Sequence, residues 1–197
     1  MLRIATPFFI LALLAGCDSN SLIGEETHVP DPDPEVPGSF HSFEIDPTAA
    51  YLRVSGESPP NAEPIALASI GAAAGDTLYF EVRGEAILGR GEGWVASTAD
   101  LSSAVLGAFT TSNALRDQGE RYRLVGAIAA GEPFETVNTV VGDLPTNIAE
   151  DFHTDGKWVI VPARAEYLWL AVPDGYYSDN EPVGDGLFLD VWVVKPN

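Results

Sequence analysis

Residues 187–194 read Leu-Phe-Leu-Asp-Val-Trp-Val-Val, and this run decides the fold class. Successive side chains of a β-strand point to opposite faces, so an alternating run has one apolar face and one mixed face. The apolar face consists of Leu187, Leu189, Val191 and Val193. The mixed face consists of Phe188, Asp190, Trp192 and Val194. We therefore predict a strand that turns one face to a hydrophobic core.

Upstream of this run, short segments rich in branched and aromatic residues recur, separated by Gly, Pro, Asp and Asn. Many short strands at close spacing, without alternating helical segments, indicate an all-β fold, an antiparallel β-sandwich of jelly-roll-like type. The predicted strands are Phe40–Ile45, Tyr51–Val54, Ile65–Ile70, Thr77–Val82, Glu85–Leu88, Val105–Thr110, Arg123–Ile128, Phe134–Val140, Trp158–Val161, Glu166–Val172 and Leu187–Val194. Residues 99–106 also fit a helical turn, capped by Asp100 or Ser102.

The first sixteen residues are predicted to be a signal peptide. Arg3 supplies a short positive region, and Phe8–Leu14 is an apolar stretch too short to span a membrane. The following Leu14-Ala15-Gly16-Cys17 resembles the lipobox of bacterial lipoproteins, in which cleavage precedes a cysteine that carries the lipid. This resemblance implies lipidation of Cys17 and a membrane anchor in the bacterial cell envelope, extracytoplasmic, on either the inner or the outer membrane. The alternative is an ordinary secretory signal with an unrelated cysteine.

Residues 17–39 have the composition of a tether. Proline alternates with acidic residues from Val29 to Gly38, and such a segment is extended because proline fixes φ and like charges repel. At about 3.1 Å per residue, roughly twenty residues reach some 60 Å from the membrane. Residues 40–197 are predicted to form one β-sandwich domain.

The formal charge of −19 restricts the partners of the chain. Nucleic acid and anionic lipid surfaces repel a strongly acidic protein, so neither is expected as an electrostatic partner. The same charge attracts divalent cations, although a solvated acidic surface accounts for it equally well. Cys17 is the single cysteine, so an intrachain disulfide and a cysteine metal site are both excluded.

An acidic loop lies between the last two predicted strands. It contains Asp174, Asp179 and Asn180, whose carboxylate and amide oxygens are hard ligands of the kind that calcium takes. Asp and Asn also form turns, because their side chains bond to nearby backbone. The loop is therefore either a calcium site or a plain turn.

Three segments together resemble the small bacterial calcium-dependent galactose-binding lectins of the PA-IL type. Residues 74–89 have a GD–strand–G–strand–G pattern, residues 122–140 have a strand, a glycine turn and a second strand, and residues 158–194 have a strand, an acidic loop, Asp-Asn, glycine and a final strand. The segments cover about half of the predicted domain in the family's order. The resemblance implies a β-sandwich that binds carbohydrate through calcium.

The resemblance also implies the ligands of the metal. Side-chain oxygens would come from Asp174, Asp179 and Asn180, and backbone carbonyls from Tyr176 and Leu88. The vicinal hydroxyls of a sugar would complete the shell, and the ring of Tyr176 or Tyr177 would cover an apolar face of the sugar. The loop from Asp174 to Asp179 is shorter than in the lectins, so their preference for galactose is not carried over.

Two other features bear on function. Trp94 follows the glycine-rich residues 89–93 and is the tryptophan expected to stack on a ligand, whereas Trp169 and Trp192 are expected to pack in the core or on a sheet face. Residues 151–155 place His153 between two acids. This cluster fits a metal ligand, a general base with a raised pKa, or an exposed acidic loop.

The chain lacks the sequence motifs of common catalytic mechanisms: G-x-S-x-G, H-E-x-x-H, a phosphate-binding glycine loop and a cysteine nucleophile. We therefore predict no catalytic residues. The expected function is that of a membrane-anchored lipoprotein that binds a glycan in a calcium-dependent, lectin-like manner. The alternative is a structural or protein-interaction lipoprotein of the envelope, with an envelope protein as partner and the acidic loop as a structural calcium site or a turn.

Overall fold

Strands dominate the part of the chain that the computed structural model describes, which is residues 36–52, 59–88, 105–116, 124–131, 140–141, 144–145, 148–174 and 177–196. The strands are β1 Ser39–Ile45, β2 Ile65–Ala66, β3 Thr77–Ile87, β4 Leu106–Thr110, β5 Ala127–Ile128, β6 Val140–Val141, β7 Leu144–Pro145, β8 Phe152–His153, β9 Trp158–Ile160, β10 Tyr167–Ala171 and β11 Glu181–Val194. Two short 3-10 helices, Leu67–Ile70 and Tyr177–Asp179, are the helical elements of these described residues.

The strands form two main antiparallel sheets. The four-stranded sheet has the order β1-β11-β3-β9, and the five-stranded sheet has the order β2-β10-β4-β5 with β8 also paired to β4. A hairpin of β6 and β7 stands apart from both. One hydrophobic cluster contains buried residues of both sheets, including Phe80 and Leu189 of the first and Phe109 and Leu168 of the second. The all-β sandwich prediction is confirmed; its jelly-roll subtype remains a prediction.

The alternation of residues 187–194 is realised in β11. The four aliphatic residues of the apolar face are buried in the main core, namely Leu187, Leu189, Val191 and Val193. The alternate residues lie on the outer face of the four-stranded sheet, where Trp192 packs between the rings of Phe40 and Tyr79. Trp169 is buried in a second core cluster with Tyr51 and Leu52. Both tryptophans therefore pack as the sequence predicted.

The central pair of strands is longer than the sequence predicted. Residues 77–87 form one strand, because Gly84 adopts a φ of 77° and the strand continues through it. β11 begins at Glu181, six residues before the predicted start, and its register against β3 shifts between Val183 and Leu187. A bulge with three unpaired residues, 184–186, passes over Gly84. A Cβ atom on Gly84 would lie 1.9 Å from the carbonyl oxygen of Gly186, so a side chain cannot be accommodated there.

Three predicted strands differ from the structure. Tyr51 and Leu52 lie in a bend, and the predicted strand Ile65–Ile70 is extended only to Ala66 before a 3-10 helix that ends at Gly71 with a φ of 72°. Of the described part of Arg123–Ile128, only Ala127–Ile128 is strand. Tyr51 and Leu124 are both buried in the second core cluster, although neither lies in a strand.

Several predictions fall outside the described residues. They are the signal peptide, Cys17, most of the tether, Trp94, Tyr176 and residues 53–54, 99–104, 123 and 134–139. Within the ranges that are described, no helix has the length and apolar character needed to cross a membrane.

Candidate functional site

The loop between β10 and β11 is held by short-range backbone contacts. The backbone N–H of Asp174 donates to the carbonyl of Val172 over 3.1 Å, and the hydroxyl of Tyr177 donates to the same carbonyl over 3.2 Å. A 3-10 turn over Tyr177–Asp179 then leads into β11, with the N–H of Asn180 donating to the carbonyl of Tyr177 over 3.3 Å. The loop thus folds back onto the end of β10.

Two carboxylate oxygens of the loop are withdrawn from solvent. These are Oδ2 of Asp174 and Oδ1 of Asp179, although each residue as a whole is only half-buried. Each of the two predicted carboxylate ligands therefore has one oxygen that is shielded from water.

Asn180 is buried, with 3% of its surface exposed. Its Nδ2 donates to the carbonyl of Pro47 over 2.8 Å, which joins the loop to the residues just after β1. The amide nitrogen therefore holds the loop against Pro47, and Oδ1 is the atom of this side chain that could bind a metal. Sequence reasoning missed Pro47, because no local pattern links residues 133 positions apart.

The register of the central strands brings Leu88 to the same place. Ile87, the last residue of β3, pairs with Glu181, the first residue of β11, so the residue after β3, Leu88, lies opposite Asn180. The Leu88 side chain packs against the main core, which leaves its backbone carbonyl as the group that could face a ligand. Leu88 and Asn180 are thus neighbours, and their shared role as calcium ligands stays a prediction.

Of the two loop tyrosines that were predicted to stack on a sugar, the structure describes only Tyr177. Tyr177 is buried in the main core, and its hydroxyl is bonded to Val172, so its ring offers no face to a sugar. This burial corrects the prediction of Tyr177 as a stacking residue: the apolar core takes up the ring on the inner side of the loop. Tyr176 and Trp94, the other two predicted stacking residues, lie outside the described residues.

The ligand set has few acidic members. In the described ranges, no group of three or more His, Cys, Asp and Glu side chains is arranged to hold a metal. The predicted set contributes two carboxylates, one amide and two carbonyls, so charged and neutral oxygens would both be needed for calcium here. Calcium accepts such mixed oxygen sets of six to eight ligands.

The second polar cluster, residues 151–155, is not the exposed acidic loop that the sequence allowed. Asp151 has 1% of its surface exposed, Phe152 is buried in β8, and Thr154 donates to the carbonyl of Val105 over 2.8 Å. Burial lowers the pKa of His153, assisted by the charge of Lys157, whereas a base of the predicted kind would have a raised pKa. Asp155 accepts a hydrogen bond of 3.1 Å from the N–H of Val82. The cluster is therefore mainly structural.

A cavity of about 500 Å³ opens beside β1 and β2, the edge strands of the two sheets. Phe43, Ile45, Ile65 and Leu170 form apolar parts of its wall. Glu44, Asp46 and Glu63 add carboxylates to the same lining. The predicted calcium ligands that the structure describes are not among its lining residues, so the cavity and the acidic loop are separate features.

No known protein family, curated protein or solved structure matches this chain.

Proposed function

We propose that this chain is a lipid-anchored, extracytoplasmic binding protein whose β-sandwich binds calcium at the acidic loop and carbohydrate through that calcium. The observation that supports the proposal is the register of the central strands. Ile87 pairs with Glu181, so the following residue, Leu88, lies beside Asn180 at the end of the acidic loop. The same loop shields one oxygen each of Asp174 and Asp179 from solvent.

The chemistry follows from the oxygen donors. Asp174 and Asp179 supply negative charge, Asn180 supplies an amide oxygen, and Leu88 and Tyr176 supply carbonyls. These are five groups, and calcium takes six to eight oxygens, so one to three places remain for two neighbouring hydroxyls of a sugar. Binding of this kind requires no proton transfer, which agrees with the lack of catalytic motifs.

The predicted lipid anchor determines where in the cell the domain would bind its ligand. The lipobox-like segment before Cys17 and the proline-rich tether support a domain held some distance above a membrane in the cell envelope. The charge of −19 favours neutral glycans over anionic polymers at that location.

Calorimetry with calcium chloride on the full chain, solubilised in a detergent without a sugar head group, tests the metal site. We expect one binding event that is lost in Asp179→Asn and kept in Asp185→Asn, which changes an exposed acid of the neighbouring strand β11. A calcium concentration one hundred times the Kd should raise the free energy of unfolding by about 2.7 kcal/mol. A glycan array with and without chelator then tests the sugar. The absence of binding at millimolar calcium would end both parts of the proposal.

A second function is favoured by the contact between Asn180 and Pro47. Because this amide already joins the loop to the end of β1, the loop is equally suited to be a structural turn in an envelope protein that binds another protein. In that case Asp174→Asn and Asp179→Asn would leave both melting and glycan binding unchanged.

A further inference from the structure

Four aromatic side chains form a row across the outer face of the four-stranded sheet, one from each strand. The strand registers pair Phe40 with Trp192, Trp192 with Tyr79, and Tyr79 with Trp158. The ring centroids of these successive pairs are 5.0, 5.4 and 4.7 Å apart. Such spacings are those of contacting aromatic rings, so the row is one continuous packed unit. We call it the aromatic row.

The aromatic row is closed at its centre and open at one end. Trp192 has 2% of its surface exposed, because the rings of Phe40 and Tyr79 cover it. Trp158, on the edge strand β9, has 51% exposed, and Ile160 on the same strand has 63% exposed. Val159 between them is buried in the core, so β9 turns both exposed side chains to the outer face.

The open end of the row is packed on one side and has polar neighbours. The ring of Trp158 contacts Tyr79, which in turn contacts the buried Trp192, so the aromatic row supports one side of the indole. On β3, the residues two positions before and after Tyr79 are Thr77 and Glu81, which lie on the same face of the sheet. An exposed aromatic surface beside hydroxyl and carboxylate groups suits a ligand with an apolar face and a hydroxylated rim.

Charge and area decide among the possible occupants. The charge of −19 opposes nucleic acid, anionic lipid and a second copy of this chain. A half-exposed Trp together with Ile160 offers on the order of 200 Å² of apolar surface, whereas a stable protein interface needs about 800 Å² on each partner. A small, uncharged ligand is compatible with both the negative charge of the chain and the limited apolar area.

We propose that the aromatic row is a second carbohydrate site, which stacks the apolar face of a neutral pyranose residue on the indole of Trp158 and needs no calcium. The proposal rests on the glycan-binding function proposed above for its class of ligand, but not on the metal chemistry of the acidic loop. The two sites lie on different parts of the sandwich, so a variant can abolish binding at one site without affecting the other.

Affinity electrophoresis of the full chain, in a non-ionic detergent without a sugar head group and with chelator present, tests the site. The probes are three neutral polysaccharides: a soluble β-glucan, a galactomannan and an α-glucan. We expect at least one of them to retard the protein, and we expect Trp158→Ala to weaken this binding about tenfold, equivalent to about 1.4 kcal/mol. Trp158→Tyr, which keeps an aromatic face, should stay within about threefold of the original.

Matched variants separate the possible outcomes. Glu166→Gln, at an exposed position outside both proposed sites, should leave binding in chelator unchanged. Circular dichroism should show that Trp158→Ala remains folded, since the side chain is half exposed. Binding that requires calcium, is lost in Asp179→Asn and is unaffected by Trp158→Ala would overturn this proposal while upholding the calcium site. Failure of all three polysaccharides to bind in chelator would overturn it as well. Sedimentation showing a dimer that Trp158→Ala dissociates would instead assign the row to a second copy of the chain.

Discussion

The hydroxyl of Tyr51 donates a hydrogen bond of 3.0 Å to Oδ1 of Asp151, across one hundred residues of sequence and inside the protein. Oδ2 of the same carboxylate accepts a second hydrogen bond of 3.0 Å from the N–H of Ile148. Burial outweighs both hydrogen bonds and raises the pKa of Asp151 to about 7. Burial, followed by the charge of Asp151, also raises the pKa of Tyr51 well above its usual value. The pair joins the bend after β1 to the turn before β8.

This pair predicts an unusual dependence of stability on pH. An unfolded Asp has a pKa of about 3.9, so between about pH 4 and pH 7 the folded state binds more protons at Asp151 than the unfolded state does. The free energy of unfolding should therefore fall as pH rises through this window and level off above it, by up to about 4 kcal/mol from this group alone. Urea unfolding at pH 5, 6, 7 and 8 measures the slope.

Asp151→Asn should flatten that slope. The amide keeps the shape of the side chain and can accept from Ile148 while donating to the oxygen of Tyr51, and it does not titrate. Glu166→Gln, at an exposed position, is the control and should leave the slope as it was. If Asp151→Asn and the unaltered chain lose stability in parallel from pH 5 to pH 8, the pKa of Asp151 is not raised.

The ion pair on the outer face of the four-stranded sheet predicts a specific double-variant result. The guanidinium of Arg83 contacts both oxygens of Asp190, which is buried, and also donates to Ser42 over 3.2 Å. Arg83→Met would leave a buried carboxylate without its cation and should cost about 2–3 kcal/mol of stability. Adding Asp190→Leu removes that charge and should restore part of the loss. Guanidinium unfolding of the two variants is the measurement, and a double variant less stable than Arg83→Met would contradict this explanation.

The bulge over Gly84 predicts different costs at two glycines with positive φ. Gly184→Ala has no atom within 4 Å of the new Cβ, so it should cost only the backbone strain of about 1–2 kcal/mol. Gly84→Ala meets the carbonyl of Gly186 as well and should cost at least about 3 kcal/mol. Thermal unfolding of both variants makes the comparison. Equal costs would mean that the bulge can move away from β3 freely.

The contact between Asn180 and Pro47 predicts a loss of stability that is independent of metal. Asn180→Ala would remove the donor of a buried carbonyl and should cost about 1–3 kcal/mol in the presence of chelator. Ser69→Ala, which removes an exposed hydrogen bond of 2.7 Å to Ala66, is the control and should cost far less. An Asn180→Ala protein that melts normally in chelator and differs only in calcium would show that this amide serves the metal alone.

The alternation of apolar and other side chains was sufficient to predict the sandwich, because residues 187–194 and 77–83 alternate with the period of two that a half-buried strand requires. It was not sufficient for the lengths of β3 and β11. The strand signal ends at Gly84 and Gly186, yet in the structure these glycines let the two strands continue past each other in a bulge. A glycine that ends a strand and a glycine that permits a bulge have the same local sequence.

For the candidate site, residue type nominates Asp174 and Asp179 as ligands, and that assignment stays a prediction. The proximity of Leu88 and Asn180 follows from the register of β3 and β11. The burial of Tyr177 and Asp151 and the contact with Pro47 depend on contacts between distant segments. The aromatic row was likewise missed, because its four residues are spread over 150 positions and become neighbours only through three strand pairings.

The position of β11 has a consequence for how the domain is produced. β11 lies between β1 and β3, so residues 39–45 find their partners only at residues 187–193. Closing a loop of that length is slow, and the central pairings of the sheet cannot form before β11 has emerged from the ribosome. Throughout most of its synthesis the chain therefore lacks the strand that completes the four-stranded sheet, and β1 has no partner in that sheet until β11 arrives.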